Sequence, residues 1–296
     1  MNIIKWAQEA GKATGFATTA RITHATPGAL YASVADRDYE CDSEIPEEEK
    51  KLVVDVASQL IFNDPGMNIK VMLGGGQQAF LPPKSLHPIN YFGEETWSCY
   101  RQDGQNLVQK WLDQKGSDGK YVDTVDDLIK FDPNDADYLL GLFAPSHIPY
   151  IDNRDTNIHP TLKDLTSKAL DVLERSENGY FLMVEGSRID MAHHETWANR
   201  ALNEVMEFDE TIEAVLDRID TEETLVIVTA DHSHTFSLSG YSDRGSDIRG
   251  LGNNLADDDL PYTMFGYANG PSFYEHFKVS EDGKLLCCSE IYVKTL

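Results

Sequence analysis

Positive charge is scarce in this 296-residue chain, where 25 lysine and arginine residues stand against 50 aspartate and glutamate residues, for a formal net charge of −25. A surface of that sign repels the phosphates of nucleic acids and the headgroups of anionic lipids. The composition therefore excludes general affinity for nucleic acid or for an anionic membrane. An acidic protein can still bind an anion where bound cations reverse the local field, and some of its carboxylates would then be metal ligands.

Long apolar runs and cysteines are also few. No run approaches the roughly 20 apolar residues of a membrane-spanning helix, and the first residues, MNIIKWAQEAGK, lack the apolar centre of a secretory signal. We therefore expect no transmembrane segment and no signal peptide or anchor signal in these residues. The cysteines, Cys41, Cys99 and the adjacent pair Cys287 and Cys288, do not have metal-binding spacing. They permit one disulfide, but their number decides neither its connectivity nor the compartment.

Apolar runs of strand length alternate with helical patterns along the chain, and an apolar content of 41% is typical of a globular protein. Strands are predicted near residues 14–22, 69–73, 138–143, 180–184 and 225–229. Helices are predicted over residues 1–10, 29–35, 47–62, 105–113 and 162–175, and residues 80–137 are predicted to be a loop-rich excursion. This order predicts an α/β layered fold with a mainly parallel sheet.

A glycine triplet, Gly74–Gly76, follows the predicted strand IKVML. Three successive glycines permit a tight turn or a close approach of two backbones. The triplet lacks the spacing of nucleotide-binding loops. We therefore predict a structural turn there, with no role in binding a cofactor.

Carboxylate and imidazole side chains follow two of the predicted strands. The stretch YFLMVEGSRIDMAHH carries Glu185, Asp190 and His194 beyond its apolar start, and the stretch LVIVTADHSH ends in a second group that includes Asp231 and His232. Open parallel sheets bind their ligands at the carboxyl ends of strands. Because two strand ends repeat the same pair of residue types, the sequence predicts a site for several metal ions.

The residue types indicate which ions these would be. Asp190 and His194 are four residues apart and share one face if a helix begins near Ile189, and a carboxylate with an imidazole suits zinc. Asp231 and His232 are adjacent in a turn and would form the second zinc half-site.

Harder, oxygen-only ligands are predicted at a third strand end, where His24 and Thr26 follow the strand 14–22. The carboxylate of Glu185 and the hydroxyl of Thr26 make a pair that suits magnesium. Two zinc ions and such a magnesium ion could clamp the oxygens of a phosphoryl transfer. Arg37 could grip the remaining phosphate oxygens in a bidentate fork.

Other polar residues near these strand ends are given supporting roles. His193 and His234 are interpreted as structural residues or as partners of the ligands, and Arg188 as the partner of a structural ion pair. Between residues 144 and 160 the chain holds several more candidates, for which an accessory ion site and ordinary loop polarity both remain open: His147, Asp152, Asp155 and His159.

With these residues in place, the motifs VEGSRIDMAHH, TADHSH, THATPGALYASVADRD and VMLGGGQQAF resemble those of the alkaline phosphatase family, of the animal type. The resemblance runs from about residue 1 to residue 277. It implies a three-layer α/β/α sandwich, hydrolysis of phosphate monoesters through a phosphoserine intermediate, two zinc ions and one magnesium ion, and a homodimer. Animal members of the family are extracellular or lipid-anchored at the plasma membrane, which is the location that the resemblance implies.

Carried over by motif, the resemblance assigns roles to individual residues. Thr26 and Glu185 resemble the magnesium ligands, Asp190 and His194 the ligands of the first zinc, and Asp231 and His232 those of the second. Arg37 matches the arginine that binds phosphate, and His24 the histidine beside the magnesium and phosphate sites.

Departures from the family pattern lead us to expect an incomplete site. The phosphate-accepting serine and the aspartate that bridges zinc and magnesium precede the matching segment in the family, and the histidine that completes one zinc site follows well beyond Pro271. Ser187 stands where the family has glycine, Met191 replaces a histidine, and Ala144 and His159 replace acidic calcium ligands. Residues 278–296 do not align. We therefore expect an alkaline phosphatase core over residues 1–277 that is inactive alone.

Two alternatives remain at this point. The chain could be a catalytically dead relative that binds metal or a partner, which a melting temperature that shifts with zinc would favour. It could also be another metallo-phosphoesterase, or a sulfatase, on the same scaffold. The paired EGSRID and ADHSH motifs favour alkaline phosphatase over that last class.

Overall fold

The computed structural model describes residues 2–83, 97–257, 259–271, 277–279 and 285–287. They fall into two compact units. The first unit comprises Met1–Ser187 and Glu207–Ile219, and the second comprises Arg188–Met206 and Asp220–Leu296. The expected tail, residues 278–296, lies mostly outside the described residues, as does Cys288.

Regular elements occupy much of the described chain. Its helices are α1 (Ile3–Glu9), α2 (Ala25–Tyr31), α3 (Val56–Phe62), α4 (Gln77–Phe80), α5 (Leu107–Lys115), α6 (Val125–Lys130), α7 (Leu162–Leu173), α8 (Arg188–His194) and α9 (Ala198–Leu216). Its strands are β1 (Ala13–Arg21), β2 (Val71–Gly75), β3 (Gly119–Val122), β4 (Tyr138–Leu142), β5 (Tyr180–Glu185), β6 (Phe236–Leu238), β7 (Phe265–Tyr267), β8 (Phe277–Val279) and β9 (Leu285–Cys287). None of the described helices combines the length and the apolar character that a membrane crossing requires.

A parallel sheet forms the centre of the first unit, with the strand order β3-β4-β2-β1-β5. All nine residues of β1 are buried, because it lies between two other strands and both of its faces are covered. Continuous apolar runs are typical of such strands. Four of the predicted strands, near residues 14–22, 69–73, 138–143 and 180–184, are confirmed as β1, β2, β4 and β5.

The sheet separates two apolar cores. Successive residues of a strand point to opposite faces, so Phe16 and Met72 enter one core while Ala17 and Leu73 enter the other. The first core is completed by residues from α1, α3 and α5, which include Ile4, Leu60 and Trp111. The second is completed by residues of α7, which include Leu165, Ala169 and Leu173. Helices thus cover both faces, and the expected three-layer α/β/α sandwich is confirmed.

The predicted strand near residues 225–229 is wrong. Among the described residues this segment takes part in no β-ladder, and Leu225 and Ile227 are 84% and 74% exposed. A strand is stable only where a neighbouring strand accepts its backbone hydrogen bonds and covers its side chains. The apolar pattern shows that these residue types favour a strand, but it does not show whether a neighbouring strand is present.

Two predicted helices have different bounds in the structure. The helix expected over residues 47–62 is α3, which begins only at Val56, because the Asp55 side chain accepts a hydrogen bond from Ser58 N and so caps its first turn. The helix expected over residues 29–35 is α2, which begins at Ala25 and ends at Tyr31.

The segment 80–137 contains more regular structure than the sequence predicted. It holds the expected helix α5, but also α6 and β3, the strand that pairs with β4 at one edge of the sheet. Cys41 and Cys99 form a disulfide, and both are fully buried. The bond joins the turn after α2 to the chain that leads into α5.

The glycine triplet is confirmed as a structural turn. A Cβ atom on Gly75 would lie 2.0 Å from the carbonyl oxygen of Ser146, and Gly76 has a φ of +104°. The amides of Gly76 and Gln77 both donate to the carbonyl of Ala144. The turn therefore joins the end of β2 to the chain that follows β4, and it requires glycine at both positions.

Candidate active site

Glu185, a predicted magnesium ligand, is the last residue of β5 in the first unit. Thr18 and Glu185 are register partners in the sheet, and Thr18 Oγ1 donates a 2.6 Å hydrogen bond to Glu185 Oε2. The Thr18 hydroxyl also accepts a hydrogen bond from the amide of Ala20 at 2.9 Å. This fixes the hydroxyl, so the Glu185 carboxylate is oriented by a side chain that the sequence analysis did not single out.

The residues expected near phosphate lie after β1. His24 is the N-cap of α2, and its ring makes an edge contact with the ring of His147, with 5.1 Å between the centroids. Thr26 lies in the first turn of α2 and is exposed, and Arg37 is exposed in the turns that follow. His24 and Thr26 thus follow the carboxyl end of β1, whereas Arg37 lies farther along the chain, beyond α2.

In the second unit, α8 brings the first predicted zinc pair together. The helix begins at Arg188, close to the predicted start, and it places His194 Nε2 3.5 Å from Asp190 Oδ2. The side chains of Asp190 and His194 are 37% and 68% exposed, which leaves both accessible to an ion. The expected helical pairing of the two residues is confirmed.

The turn before β6 adds three further polar side chains beside this pair. His234 Nε2 lies 2.7 Å from Asp190 Oδ1, and His232 Nε2 lies 3.7 Å from the same oxygen. Asp231 and His232 also approach each other, with 3.5 Å between Oδ2 and Nε2. His232 of the second predicted zinc pair therefore lies beside Asp190 of the first, and Asp231 lies beside His232.

The donor atoms of three of these residues suit a metal ion. One ligand atom each from Asp190, His194 and His234 lies within 4.8 Å of the other two, a grouping of three His, Cys, Asp or Glu residues within the described part of the chain. A carboxylate oxygen with two imidazole nitrogens is a typical ligand set for zinc. The residues present at this site thus fit the ion that the sequence predicts.

The charges of the imidazoles depend on their surroundings. Burial, with the neighbouring His234, lowers the pKa of His193, so this ring is neutral at pH 7. The carbonyl of Ser233, with the carboxylate of Asp231, raises the pKa of His232. An imidazole must be neutral to bind zinc. His232 would therefore have to release a proton that it holds more tightly than an ordinary histidine does.

Aromatic side chains pack against the imidazoles of the candidate site. His193 Nδ1 lies 2.7 Å from the hydroxyl of Tyr267, and the His193 ring stacks on His234 with 5.0 Å between the centroids. Phe236 packs against both His193 and Tyr267. Burial raises the pKa of Tyr267 to about 12, so its hydroxyl keeps its proton at neutral pH. The supporting role predicted for His193 agrees with these contacts.

Arg188 and the loop before α7 lie outside the group of candidate ligands. Arg188 is buried and donates to the sulfur of Met191 at 3.3 Å. Arg154 of this loop and Glu207 of α9 form a buried ion pair, and His159 is buried near Arg154. Burial and the charge of Arg154 lower the pKa of His159 to about 4. The His159 ring is therefore buried and neutral at pH 7.

Three residues that bear on the site were missed or underrated in the sequence: Thr18, His234 and Tyr267. Thr18 is distinguished by its register opposite Glu185, and strand register cannot be determined from a single sequence. His234 lies in the HSH motif, which does not indicate which imidazole turns towards Asp190. Tyr267 carries no motif at all.

Comparison with known proteins identifies the family. The model of the family described as alkaline phosphatase matches residues 1–285. Alkaline phosphatase 4 of Drosophila melanogaster is 42% identical over 283 residues, which cover 93% of this chain and 47% of the relative. The tissue-nonspecific alkaline phosphatase of Homo sapiens is 40% identical over 276 residues, which cover 92% of this chain and 52% of the relative. The chain thus spans about half the length of these curated relatives.

Solved structures agree with that result. The Thermus thermophilus alkaline phosphatase matches with a TM-score of 0.54 and 32% identity, over 71% of this chain and 37% of the other. A mutant alkaline phosphatase of the Antarctic bacterium TAB5, with Mg bound in its M3 site, matches with a TM-score of 0.62 and 23% identity, over 90% of this chain and 64% of the other. At that identity the second match shows the fold alone. The chain belongs to the alkaline phosphatase family.

Proposed function

We propose that this chain serves the zinc- and magnesium-dependent hydrolysis of phosphate monoesters. The observation that carries the proposal is the meeting of Asp190, His194 and His234, whose ligand atoms lie within 4.8 Å of one another. Such a group supports a metal-dependent hydrolase, and membership of the alkaline phosphatase family supports phosphate monoesters as the substrate class.

Specific residues would hold the ions. Asp190 and His194 would bind the first zinc, and Asp231 and His232 the second. Glu185 and Thr26 would bind magnesium, for which their oxygen donors are suited. Bound zinc would supply a Lewis acid for the oxygens of a phosphoryl group. The hydrogen bond from Thr18 holds the Glu185 carboxylate in one orientation, which reduces the cost of ordering it when an ion binds.

Arg37 and His24 would act on the phosphate itself. Arg37 would donate two parallel hydrogen bonds to phosphate oxygens, for which its planar guanidinium is suited. Its exposed side chain leaves those donors accessible to a ligand from solution. His24 would stand beside the magnesium and phosphate sites, held by its ring contact with His147.

We expect the isolated 296-residue chain to hydrolyse phosphate monoesters very slowly. The family resemblance matches none of its serines to the phosphate-accepting nucleophile, and Ser187, the serine nearest to the ligands in sequence, is buried and hydrogen-bonded to Thr19. Loss of a covalent nucleophile typically costs several orders of magnitude in rate. The chain would then bind metal ions and phosphate but hydrolyse phosphate monoesters very slowly.

The wider assembly and location are proposed on the same basis. Residues 1–277 would form the alkaline phosphatase core, with 278–296 as a separate tail, and the complete family member would be a homodimer. An extracellular or lipid-anchored location would suit the disulfide between Cys41 and Cys99, because disulfides persist in oxidising compartments. A Bombyx mori relative, 41% identical, is named a membrane-bound alkaline phosphatase.

The test compares phosphate binding with turnover. The purified chain, with zinc and magnesium added, is titrated with inorganic phosphate by calorimetry and assayed with p-nitrophenyl phosphate, beside Glu185→Ala, Asp231→Ala and Arg37→Ala. We expect metal-dependent phosphate binding that each substitution weakens, with little turnover. Absence of phosphate binding in the metal-loaded, folded chain would contradict the proposed function. Robust turnover that Glu185→Ala and Asp231→Ala abolish would instead show that the chain is catalytically complete.

A further inference from the structure

We infer that Glu40 is a positioning residue for Arg37, because its buried carboxylate ties the segment that carries Arg37 to the end of β1. The inference rests on the proposed role of Arg37 in binding phosphate, and it concerns a residue outside the motifs that assign the site. Glu40 lies three residues after Arg37 and is 6% exposed, whereas the Arg37 side chain is exposed. The segment 33–41 thus has an exposed centre and a buried end.

Three hydrogen bonds hold the Glu40 carboxylate at the end of β1. Arg21, the last residue of β1, donates from Nε to Glu40 Oε2 at 2.9 Å and from Nη2 to Oε1 at 2.7 Å, which makes a bidentate pair. Thr23 Oγ1 donates to Oε2 at 2.6 Å. A bidentate pair fixes both the distance and the direction of the carboxylate. Because His24 directly follows Thr23, these bonds also relate the Arg37 segment to the chain that enters His24.

Arg21 is itself held in place on its other sides. Its Nη1 atom lies 3.2 Å from Ser146 Oγ and 2.6 Å from His147 Nε2. Its Cζ atom lies 4.2 Å from the centroid of the Trp97 ring, in a cation–π contact. The guanidinium is therefore a fixed point of attachment within the first unit, and Glu40 is fixed through it.

The same segment is also attached to α3. The amide of Ser33 donates to Gln59 Oε1 at 3.0 Å, and the amide of Val56 donates to the carbonyl of Tyr39 at 2.9 Å. These contacts hold the segment against α3 and leave its position relative to β1 to other contacts. The Glu40 side chain supplies such a contact.

The buried pair of Arg21 and Glu40 suits a role in positioning better than a role in stability. Removing two charges from water costs about as much free energy as their attraction returns, so apolar residues of similar volume often stabilise a fold as well. Apolar contacts lack direction, however, whereas a displacement of about 1 Å takes a hydrogen bond beyond its normal length. Apolar replacements should therefore keep the stability of the chain and lose the position of Arg37.

The competing interpretation is that α3 and the disulfide already fix Arg37, and that Glu40 only fills its place in the interior. Arg21→Met with Glu40→Leu separates the two interpretations, since it removes both charges and keeps apolar volume. Arg154→Met with Glu207→Leu is the matched control, because it makes the same change at the buried ion pair of the loop before α7. The control should bind phosphate as the wild type does. Circular dichroism and thermal melting show whether both double variants are folded.

The first measurement is the affinity for inorganic phosphate, by calorimetry on the full chain with zinc and magnesium added. We expect Arg21→Met with Glu40→Leu to weaken phosphate binding by about 10-fold. Thr23→Val, which removes one hydrogen bond and keeps the ion pair, should weaken it less. In the background of Arg37→Ala, the double substitution should change the affinity by less than about 2-fold, because a positioning residue has no effect once the group that it positions is gone.

The second measurement is hydrogen exchange followed by mass spectrometry, which needs neither metal nor phosphate. In Arg21→Met with Glu40→Leu, we expect faster exchange in peptides that cover residues 33–41, because that segment opens more often when its attachment to β1 is lost. Peptides that cover β2 and β4 should exchange as in the wild type.

Two results would overturn the inference while leaving the proposed function intact. One is wild-type phosphate affinity in Arg21→Met with Glu40→Leu. The other is a loss of affinity that is equally large with and without Arg37, since Glu40 would then act through another group. If this double variant does not fold, Thr23→Val is judged by the same criteria.

Failure of the proposed function has a different signature. The folded, metal-loaded wild type would then bind no phosphate, and hydrogen exchange would decide the role of Glu40. Faster exchange confined to residues 33–41 would support Glu40 as the residue that holds this segment, and unchanged exchange would contradict it.

Discussion

Thr18 and Glu185 face each other across the parallel pairing of β1 and β5, and the threonine hydroxyl donates a 2.6 Å hydrogen bond to the glutamate carboxylate. Because that bond orients a proposed magnesium ligand, we predict that Thr18→Val lowers the affinity for a magnesium-type ion by about 10-fold. Mn²⁺ replaces magnesium in the measurement, and the loss of the free Mn²⁺ signal in electron paramagnetic resonance reports binding.

Thr18→Ser is the control for this prediction, since it keeps the hydroxyl and removes only a methyl group. It should bind Mn²⁺ as the wild type does. Equal affinities in all three proteins would show that the Thr18 hydroxyl does not prepare Glu185 for an ion.

The strands that the sequence predicted correctly are the ones whose surroundings are apolar on both faces. β2 begins with an apolar run, VML, and β1, ATGFATTAR, consists mostly of small and β-branched residues that are all buried, because helices cover both sides of the sheet. The segment 225–229 has the same pattern and is not a strand, since an apolar run does not reveal whether a neighbour accepts its hydrogen bonds. β3, only four residues long and partly exposed at the sheet edge, offered no apolar run.

The helix α9 was missed for a related reason. The residues it buries include Ala201, Glu204, Glu207 and Thr211, which recur at helical spacing but are mostly polar. A search for apolar periodicity does not detect a polar buried stripe. Glu207 of this helix pairs with Arg154, which is far away in sequence, and such a pair cannot be predicted before the fold is known.

At the candidate site, local spacing predicted local geometry and nothing more. Asp190 and His194 could be paired because four residues make one helical turn. The approach of His234 to Asp190 depends on how the chain returns before β6, 44 residues later. The sequence therefore identified the types of candidate ligand and the pair Asp190 and His194. The approach of His234 to Asp190 is visible only in the structure.

The buried ion pair between Arg154 and Glu207 should stabilise the loop before α7. Glu207 also accepts a 3.1 Å hydrogen bond from the amide of Leu162, at the start of that helix. Glu207→Gln leaves the charge of Arg154 buried without a counter-charge, so we predict a loss of about 3–5 kcal/mol in the free energy of unfolding. Urea denaturation measures it.

An exposed pair provides the comparison for that prediction. Lys130 and Asp126 are 70% and 74% exposed, and Lys130→Met should leave the free energy of unfolding nearly unchanged, because solvent screens an exposed ion pair. The double substitution Arg154→Met with Glu207→Leu should recover part of the loss, because it removes both charges. If Glu207→Gln destabilises the chain no more than Lys130→Met does, the ion pair between Arg154 and Glu207 does not stabilise the loop.

His159 should make the stability of the first unit depend on pH. Its pKa is lowered to about 4 in the folded chain by burial and by Arg154, whereas an unfolded histidine titrates near 6.5. The unfolded state therefore takes up the proton first, and stability is lost as the pH falls from about 6.5 to 4. Allowing for solvent screening, we predict a loss of up to about 2 kcal/mol.

Urea denaturation at several pH values between 7 and 4 tests this, with His159→Asn as the non-titrating control. The pKa of Asp155 is lowered by hydrogen bonds from Asn157, so its own contribution is lost below its usual range and falls outside most of this window. The variant should show the shallower decline in stability. Parallel profiles for the two proteins would exclude His159 as the source.

Gly75→Ala should destabilise the chain more than an ordinary glycine substitution. The added Cβ would lie 2.0 Å from the carbonyl oxygen of Ser146, and the backbone of Gly75 is itself held by its pairing with Arg21 of β1. We predict a loss of about 3 kcal/mol. Gly266→Ala is the control, because its Cβ meets its nearest neighbour at 3.6 Å and should cost less than about 1 kcal/mol. Similar melting temperatures for the two variants would contradict this account.

The disulfide between Cys41 and Cys99 closes a loop across a sequence separation of 58 residues. In the chain-entropy account, a loop of that length restricts the unfolded state by about 4 kcal/mol. Reductant should therefore lower the melting temperature of the wild type.

The double substitution Cys41→Ala with Cys99→Ala should melt near the reduced wild type and should not respond to reductant, although Cys287 and Cys288 remain. A variant that still responds would show that the effect arises elsewhere. A wild type that melts equally with and without reductant would show that the buried contacts around Arg101 and Asp55, 2.8 Å apart, hold this loop without the covalent bond.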